Sequence, residues 1–491
     1  MNSWEECLSI LQDNKHKTFF VNHEGTEYTY QMLLQHVERM STILESKVPD
    51  GEIAWIGKNN FLFYVVVLSC IKCRRPVFIF YNSWKQKQIS ENIVKNKITN
   101  ILFDAEVNVN LSDDEKEYVN LFRVTETDME GISETAISGH TNAKVDIFLA
   151  TSGTTGTNKW VGHSCHFILQ NMKKLASRVQ FTSDDCIHSI LPLYTSNGMT
   201  ITFFLPFSMG ATIFQDFLVS PFTLSELFHR GHMHHATVLS LVPSIISMMN
   251  RINWDVETET VDRSLYKFCI CGTAPLSEKE REAFQSRFGV PVYTNYGLTE
   301  VLFVASQNAL YHGVGSSGQL LDGVRIHCDN EIQIEKPEDS LIYLNQEEDS
   351  DFFFTGDLGE VQEGELYITG RKKQIAICGG YNVNTNAVEE IIHSLEGIQD
   401  VVCFGLEKDI QGEELIAAVV LDKHVEKVDY VRDYISEHYP AYMVPKIIRM
   451  RKIPRNDVGK PDYRLLKQMI IEKDIAKIQK ESLYTLKSKG N

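Results

Sequence analysis

Between residues 20 and 140 the chain alternates between two apolar periodicities. Tyr30 to Leu44 carries its apolar residues at helical spacing, and Glu52-Ile53-Ala54-Trp55-Ile56-Gly57 reads as a short strand. The exchange repeats through the apolar run Phe61 to Ile71, the strand-like Val77-Phe78-Ile79-Phe80 and Thr99-Asn100-Ile101-Leu102-Phe103. Helices that alternate with short apolar strands predict βαβ units and a mostly parallel sheet, because parallel neighbours need a crossover that only a helix-sized connection supplies. The middle of the chain continues in kind, with a strand over Asp185–Ile190 and a helix from Pro243 through Asn250. Val324–His327, Glu331–Ile334 and Ser340–Leu344 alternate instead like antiparallel strands. At 491 residues the chain exceeds one core, so at least two domains are expected. The predicted class is α/β, with a large N-terminal domain of mixed, mainly parallel sheets covered by helices.

The boundary is placed where the strand-like Leu366-Tyr367-Ile368 runs into Thr369-Gly370-Arg371-Lys372-Lys373, giving domains over 1–370 and 371–491. The second has its own helix-like stretches, Asn386–Leu395 and Val428–His438, and strand-like Val401–Phe404 and Leu415–Leu421, as a small α+β unit would.

Hydrophobic residues make up 43% and charged residues 23%, the balance of a folded protein. A formal net charge of −17 speaks against a nucleic acid or an anionic membrane as partner, since binding to either runs on excess Lys and Arg. The N-terminus lacks the basic and apolar segments of a secretory signal, and no stretch has the length to span a bilayer, so the expectation is cytoplasmic. Cys70-x-x-Cys73, Cys269-x-Cys271 and His232-Met233-His234-His235 lack partners at metal-ligand spacing and read as ordinary buried thiols and a surface cluster.

Residues 149 to 159, Leu-Ala-Thr-Ser-Gly-Thr-Thr-Gly-Thr-Asn-Lys, follow the apolar Val145–Phe148. Gly153 and Gly156 let the backbone turn its N–H groups toward an anion, while Thr151, Ser152, Thr154 and Thr155 add hydroxyl donors and Lys159 a full charge. Thr157 and Asn158 separate Gly156 from Lys159, so this is not a Walker A loop. A nucleotide triphosphate is the expected guest. Gly313-Val314-Gly315-Ser316-Ser317-Gly318 satisfies the G-x-G-x-x-G pattern, yet no long apolar strand precedes it and no helical pattern follows. That leaves a dinucleotide oxidoreductase poorly supported.

Further on stand Asn295-Tyr296-Gly297-Leu298-Thr299-Glu300, Thr355-Gly356-Asp357-Leu358-Gly359, Gly370-Arg371-Lys372-Lys373 and Asn456-Asp457-Val458-Gly459-Lys460. With the phosphate loop, these five segments in this order resemble the adenylate-forming superfamily of acyl-CoA synthetases, luciferases and carrier-protein adenylation domains. The resemblance runs from about residue 25 to 465. It implies the adenylate-forming fold, with a small C-terminal domain that moves and carries the catalytic lysine. It also implies two half-reactions: a carboxylate attacks the α-phosphorus of ATP to give an acyl-adenylate and pyrophosphate, and a thiol then displaces AMP.

Joining two anions requires local cations. Lys460 is the expected catalytic lysine, bridging carboxylate and α-phosphate. Glu300 is the expected Mg²⁺ ligand, with Thr299 donating to the α-phosphate; a plainer alternative makes the pair an N-cap opening a following helix. Asp357 would accept the ribose hydroxyls, supported by Arg371, and Tyr296 would stack on adenine with Asn295, Gly297 and the turn Gly272-Thr273-Ala274 around it. Lys373 sits at the hinge position. Tyr194, Thr195, Asn197 and Gly198 form the expected acyl segment, and Gly379, Gly380 and Tyr381 the thiol side.

The chain departs from the family in three places. Thr195 stands where many relatives have histidine, Asn158 replaces a common proline, and Trp160 replaces a glycine with enough bulk to alter the loop's exit path. No acidic residue lies in Tyr194–Met199 to pair with a substrate ammonium, which favours an acid other than an amino acid. The implied cofactors are ATP, Mg²⁺ and CoA, and the implied partner a small carboxylic acid. The acceptor alternative is the phosphopantetheine of a separate carrier protein, and a reading from another class is a non-catalytic nucleotide-binding homologue.

Overall fold

The computed structural model describes residues 3–84, 86–109, 111–125, 144–151, 159–218, 220–224, 226–251, 265–329, 331–336, 340–341, 344, 350–378, 381–408, 412–422, 424–425, 428–456 and 459–471. Two large sheets form the N-terminal part. In one of eleven strands, six neighbours run parallel: Thr18–Val21, Thr212–Gln215, Cys186–Ser189, Val238–Leu241, Phe268–Cys271 and Val292–Leu298. Beyond Val292–Leu298 the sheet turns antiparallel through Leu302–Ser306, Ser316–Leu320, Glu365–Arg371 and Asp357–Gln362. In the seven-stranded sheet Ile147–Thr151, Val77–Ile79, Glu52–Ile56, Ile98–Asp104 and Asn120–Val124 are parallel, and Lys159–His163 joins antiparallel.

The helix Phe61–Lys72 is apolar on every side and buried from Phe61 to Ile71, the pattern of a helix enclosed by protein. It belongs to one core that also takes Phe19, Ile213 and Ile270 from the larger sheet and Ile53, Val77 and Ile147 from the smaller. Over the described residues between 20 and 125 the alternation therefore reports correctly.

Ile326–Cys328 and Ile332–Glu335 pair antiparallel as expected, with Phe352–Phe354 as the third strand of that small sheet, and Ser340–Leu341 is antiparallel too, though its partners are Gly162 and His163. One local reading needs correction: Trp160 does not divert the chain, because Lys159–His163 keeps unbroken register with Ile147–Thr151. The indole lies flat against Phe80, edge-on to Phe78, and donates to Asn92 Oδ1 at 2.9 Å. A buried cluster of aromatic rings absorbs its bulk.

After Arg371 a single turn, Lys372–Gln374, leads into a separate five-stranded sheet. Ile375–Cys378, Tyr381–Asn384, Ile398–Lys408, Gly412–Leu421 and Lys446–Arg449 pair there, with the helices Thr385–His393 and Asp429–His438 packed into its core. Arg251 donates to the Gln399 carbonyl at 2.8 Å and so joins the two parts.

Candidate active site

Thr299 and Glu300 stand at the tip of a tight hairpin. Leu298 pairs with Leu302, leaving Thr299, Glu300 and Val301 as the connection, and Leu302 takes the left-handed conformation (φ 58°) that closes such three-residue loops. A Cβ at Gly297 would stand 2.4 Å from the Leu302 carbonyl oxygen, so the hairpin needs glycine there. The strand Leu302–Ser306 follows at once, which removes the N-cap reading of Thr299-Glu300: no helix begins here. Glu300 is 8% exposed.

The phosphate loop joins Thr151 to Lys159, which face each other across the antiparallel pair. Ser152, Gly153, Thr154, Thr155 and Gly156 lie outside the described residues. His163, at the far end of the lysine-bearing strand and wholly buried, meets the Thr299 carbonyl through Nε2 at 2.6 Å. Burial pushes its imidazole down to about 4, so it is neutral at physiological pH.

Asp357 opens its strand after Gly356, whose left-handed φ of 73° suits glycine. Glu331 accepts from the Gly356 N–H at 2.6 Å and from Lys372 Nζ at 3.1 Å, fixing this turn. Asp357 is opposite Arg371 in the ladder and receives its Nε at 2.5 Å, while the Tyr296 hydroxyl donates to the other carboxylate oxygen at 2.7 Å. Asp357, expected to receive ribose hydroxyls, thus has both oxygens engaged by protein donors here. Tyr296, expected to stack, is 9% exposed and anchored by its hydroxyl.

Gly272, Thr273 and Ala274 directly follow the strand Phe268–Cys271. A Cβ at Gly272 would fall 2.3 Å from Asn295 Oδ1. Asn295 Nδ2 is buried with no hydrogen-bond partner among the described residues, a donor left over for a ligand.

Thr195 is spent locally. Its hydroxyl donates to the Pro192 carbonyl at 2.8 Å and accepts from the Gly198 N–H, capping the turn Ser196–Met199. Gly198 is required, since a Cβ would sit 2.0 Å from the Pro192 carbonyl oxygen. Asn197 lies within the capped turn, half-buried, and Tyr194 packs its ring 4.8 Å from that of Tyr81. A π-helical segment, Thr200–Phe204, follows, a feature that often marks functional sites.

Lys460 comes from the small domain. Arg455 holds its loop by donating to the Gly459 carbonyl at 3.0 Å and to both oxygens of Asp400, and Asn456 accepts from the Lys460 N–H at 2.9 Å. Although the side chain is exposed, surrounding protein and then the charge of Arg371 hold its ammonium below the usual lysine range, with Glu300 and Asp357 pulling the other way. The lysine is therefore within electrostatic reach of the three charged positions expected at the nucleotide. Lys373 belongs to the turn Lys372–Gln374 between the two sheets; its side chain, Gly379, Gly380 and the Tyr381 side chain lie outside the described residues. Neither the cysteine pairs nor the histidine cluster takes part in a metal-binding group among the described residues.

Sequence reading missed His163, Glu331 and Arg455, which act on the site through other residues. Only the even spacing of His163 from Lys159 along one strand hinted at a shared face.

Comparison with known proteins bears on the family and the fold. The model of the family described as AMP-binding enzyme matches residues 10–347, and that of its C-terminal domain matches 387–460. A long-chain-fatty-acid–CoA ligase of Mycobacterium tuberculosis is 28% identical over 67% of this chain and 68% of its own. A 2-succinylbenzoate–CoA ligase of Listeria monocytogenes is 22% identical over 91% of this chain and 95% of its own. Among solved structures, ATP-bound MatB from Rhodopseudomonas palustris superposes with a TM-score of 0.84 at 22% identity, covering 96% of this chain and 99% of that one.

Proposed function

Because the chain belongs to the AMP-binding enzyme family, we propose that Lys460, Thr299, Glu300, Asp357 and Arg371 carry an ATP-dependent activation of a non-amino carboxylic acid, with CoA as acceptor. The enzyme is an AMP-forming acid–thiol ligase. A carboxylate oxygen attacks the α-phosphorus, the bond to the bridging oxygen breaks, and pyrophosphate leaves. The thiol sulfur then attacks the acyl carbon and AMP departs with the electron pair.

What supports the assignment of roles is that the ammonium of Lys460, from the small domain, feels the charges of Arg371, Glu300 and Asp357. An ammonium there neutralises the charge that gathers between carboxylate and α-phosphate as they join. Lys159, at the mouth of the phosphate loop, meets the departing pyrophosphate. Asp357 and Arg371 grip the ribose, the sugar hydroxyls displacing or sharing the Tyr296 contact, and Asn295 uses its spare amide N–H on the base. Glu300 fits a hard divalent ion: it is a buried carboxylate at a hairpin tip, and Mg²⁺ typically takes one or two carboxylates and completes its shell with phosphate oxygens and water. Bound there, the ion would neutralise phosphate charge.

CoA is named in both relatives reported above, which supports it over a carrier protein. The absence of an acidic side chain from Tyr194 to Met199 supports an acid without an ammonium. Among the described residues no helix is long and apolar enough to cross a membrane, and the cysteines are unpaired, which suits a cytoplasmic setting.

The test is pyrophosphate release with ATP and Mg²⁺ across aryl, short, medium and long-chain acids and amino acids, with and without CoA. Acid-dependent release completed by a CoA thioester is expected. Release that ends at the adenylate would make a carrier protein the acceptor, and no release with ATP still bound would favour a non-catalytic homologue.

A further inference from the structure

The Thr299 carbonyl can only accept a hydrogen bond, so His163 must carry its proton on Nε2. That leaves Nδ1 a bare acceptor. It is buried and has no partner among the described residues. An unsatisfied buried acceptor is a cost, which the bond to the Thr299 carbonyl must offset. The hairpin is already pinned on its second strand, where Asn171 donates to the Phe303 carbonyl at 2.9 Å and accepts from the Phe303 N–H at 3.1 Å.

What His163 fixes is one peptide plane. The carbonyl it holds belongs to the unit joining Thr299 to Glu300, and a planar unit fixed at its oxygen loses its freedom to rotate. That rotation sets where the Glu300 side chain leaves the backbone. The same imidazole sits on the short strand that begins at Lys159, two pleats away on the same face.

We propose that His163 is a positioning residue that ties the strand of Lys159 to the Thr299–Glu300 hairpin tip, setting the phosphate-loop lysine and the metal-binding carboxylate at a fixed separation for the Mg²⁺–ATP complex. The inference rests on the assignment of Glu300 to the metal made above. Removing the imidazole donor leaves both groups present but free to drift. Partners that orient metal ligands in this way are typically worth roughly 10–100-fold in affinity or rate.

The test uses the full-length protein with His163→Leu, His163→Phe, His163→Gln and Glu300→Gln, measuring Mg²⁺–ATP affinity by calorimetry, the Mg²⁺ concentration for half-maximal pyrophosphate release, and melting temperature. Leucine and phenylalanine remove the donor, and whichever melts with the parent supplies the comparison. The expected result is a weakening of Mg²⁺–ATP binding by roughly 10–100-fold, with glutamine, whose amide can reach the same carbonyl, recovering most of it. Parent affinity in the donor-free variants, or no recovery by glutamine, would overturn the proposal. Glu300→Gln separates the two levels. If it weakens Mg²⁺–ATP binding and the His163 variants do not, the positioning role fails alone; if it has no effect, the metal assignment fails and the positioning role with it.

Discussion

Tyr296 and Asp357, 61 residues apart, meet hydroxyl to carboxylate at 2.7 Å, and Arg371 takes the second oxygen of the same aspartate. The contacts join three segments that are remote in sequence into the wall proposed to hold the nucleoside: a hairpin, the start of a strand and the last strand before the small domain. A buried carboxylate with two donors is held in one orientation. Its two neighbours are not equivalent, since one donor is neutral and the other charged.

From that asymmetry, Tyr296→Phe keeps the ring and leaves Asp357 its guanidinium, so it should cost about 1 kcal/mol of stability and change kcat/KM for ATP by no more than a few-fold. Asp357→Asn removes the charge that pairs with Arg371 and should lower kcat/KM for ATP by about 10–100-fold, the loss of a charge-assisted hydrogen bond. Steady-state kinetics with ATP varied would separate the two. Equal losses would mean that the hydroxyl matters to the nucleotide as much as the carboxylate does.

Arg251 crosses between the domains to the Gln399 carbonyl. If this contact holds Lys460 over the large domain, Arg251→Ala should slow adenylation by about 5-fold, the worth of one partly exposed hydrogen bond near 1 kcal/mol. Thioester formation from a supplied acyl-adenylate should keep its parent rate. Stopped assays of each half-reaction would read this directly, and equal slowing of both would argue for a loss of fold instead.

Glu389, in the small domain, accepts the Cys403 N–H at 2.9 Å, and burial pushes its carboxyl up to about 7. The folded chain therefore keeps the proton until about pH 7, while the unfolded chain releases it near the ordinary glutamate value of 4.5. Stability from this group is complete below the lower value, falls as pH rises between the two, and is gone above the upper. Glu389→Gln should exceed the parent in stability by about 3 kcal/mol at alkaline pH, with the gap closing toward acid. Denaturant unfolding across pH measures this slope, and a constant gap would contradict the raised value.

How much of this was legible in the sequence follows the distance over which each feature is specified. The parallel sheets could be read from residues 20–140 because each βα unit declares itself within a dozen residues. Thr299, Glu300, Asp357, Arg371 and Lys460 could be named because short motifs carry them. Their setting could not. Thr299-Glu300 reads equally well as a helix cap until Leu302 adopts a left-handed conformation and closes a hairpin. Trp160 looks like an obstruction until Phe78, Phe80 and Trp84 surround it. Ser340–Leu341 joins a different sheet from its sequence neighbours because its partner strand begins at Lys159. The His163–Thr299 contact spans 136 residues and belongs to no local pattern.

In the proposed reaction an ammonium carried by the small domain makes the acid and the α-phosphate react. The most direct test of this compares Lys460→Ala with the parent in acid-dependent pyrophosphate release and, separately, in thioester formation from pre-formed acyl-adenylate. The first should fall by roughly 10²–10³-fold, as when one transition-state contact is lost, while the second stays near the parent rate. A variant that forms acyl-adenylate as fast as the parent would contradict the account.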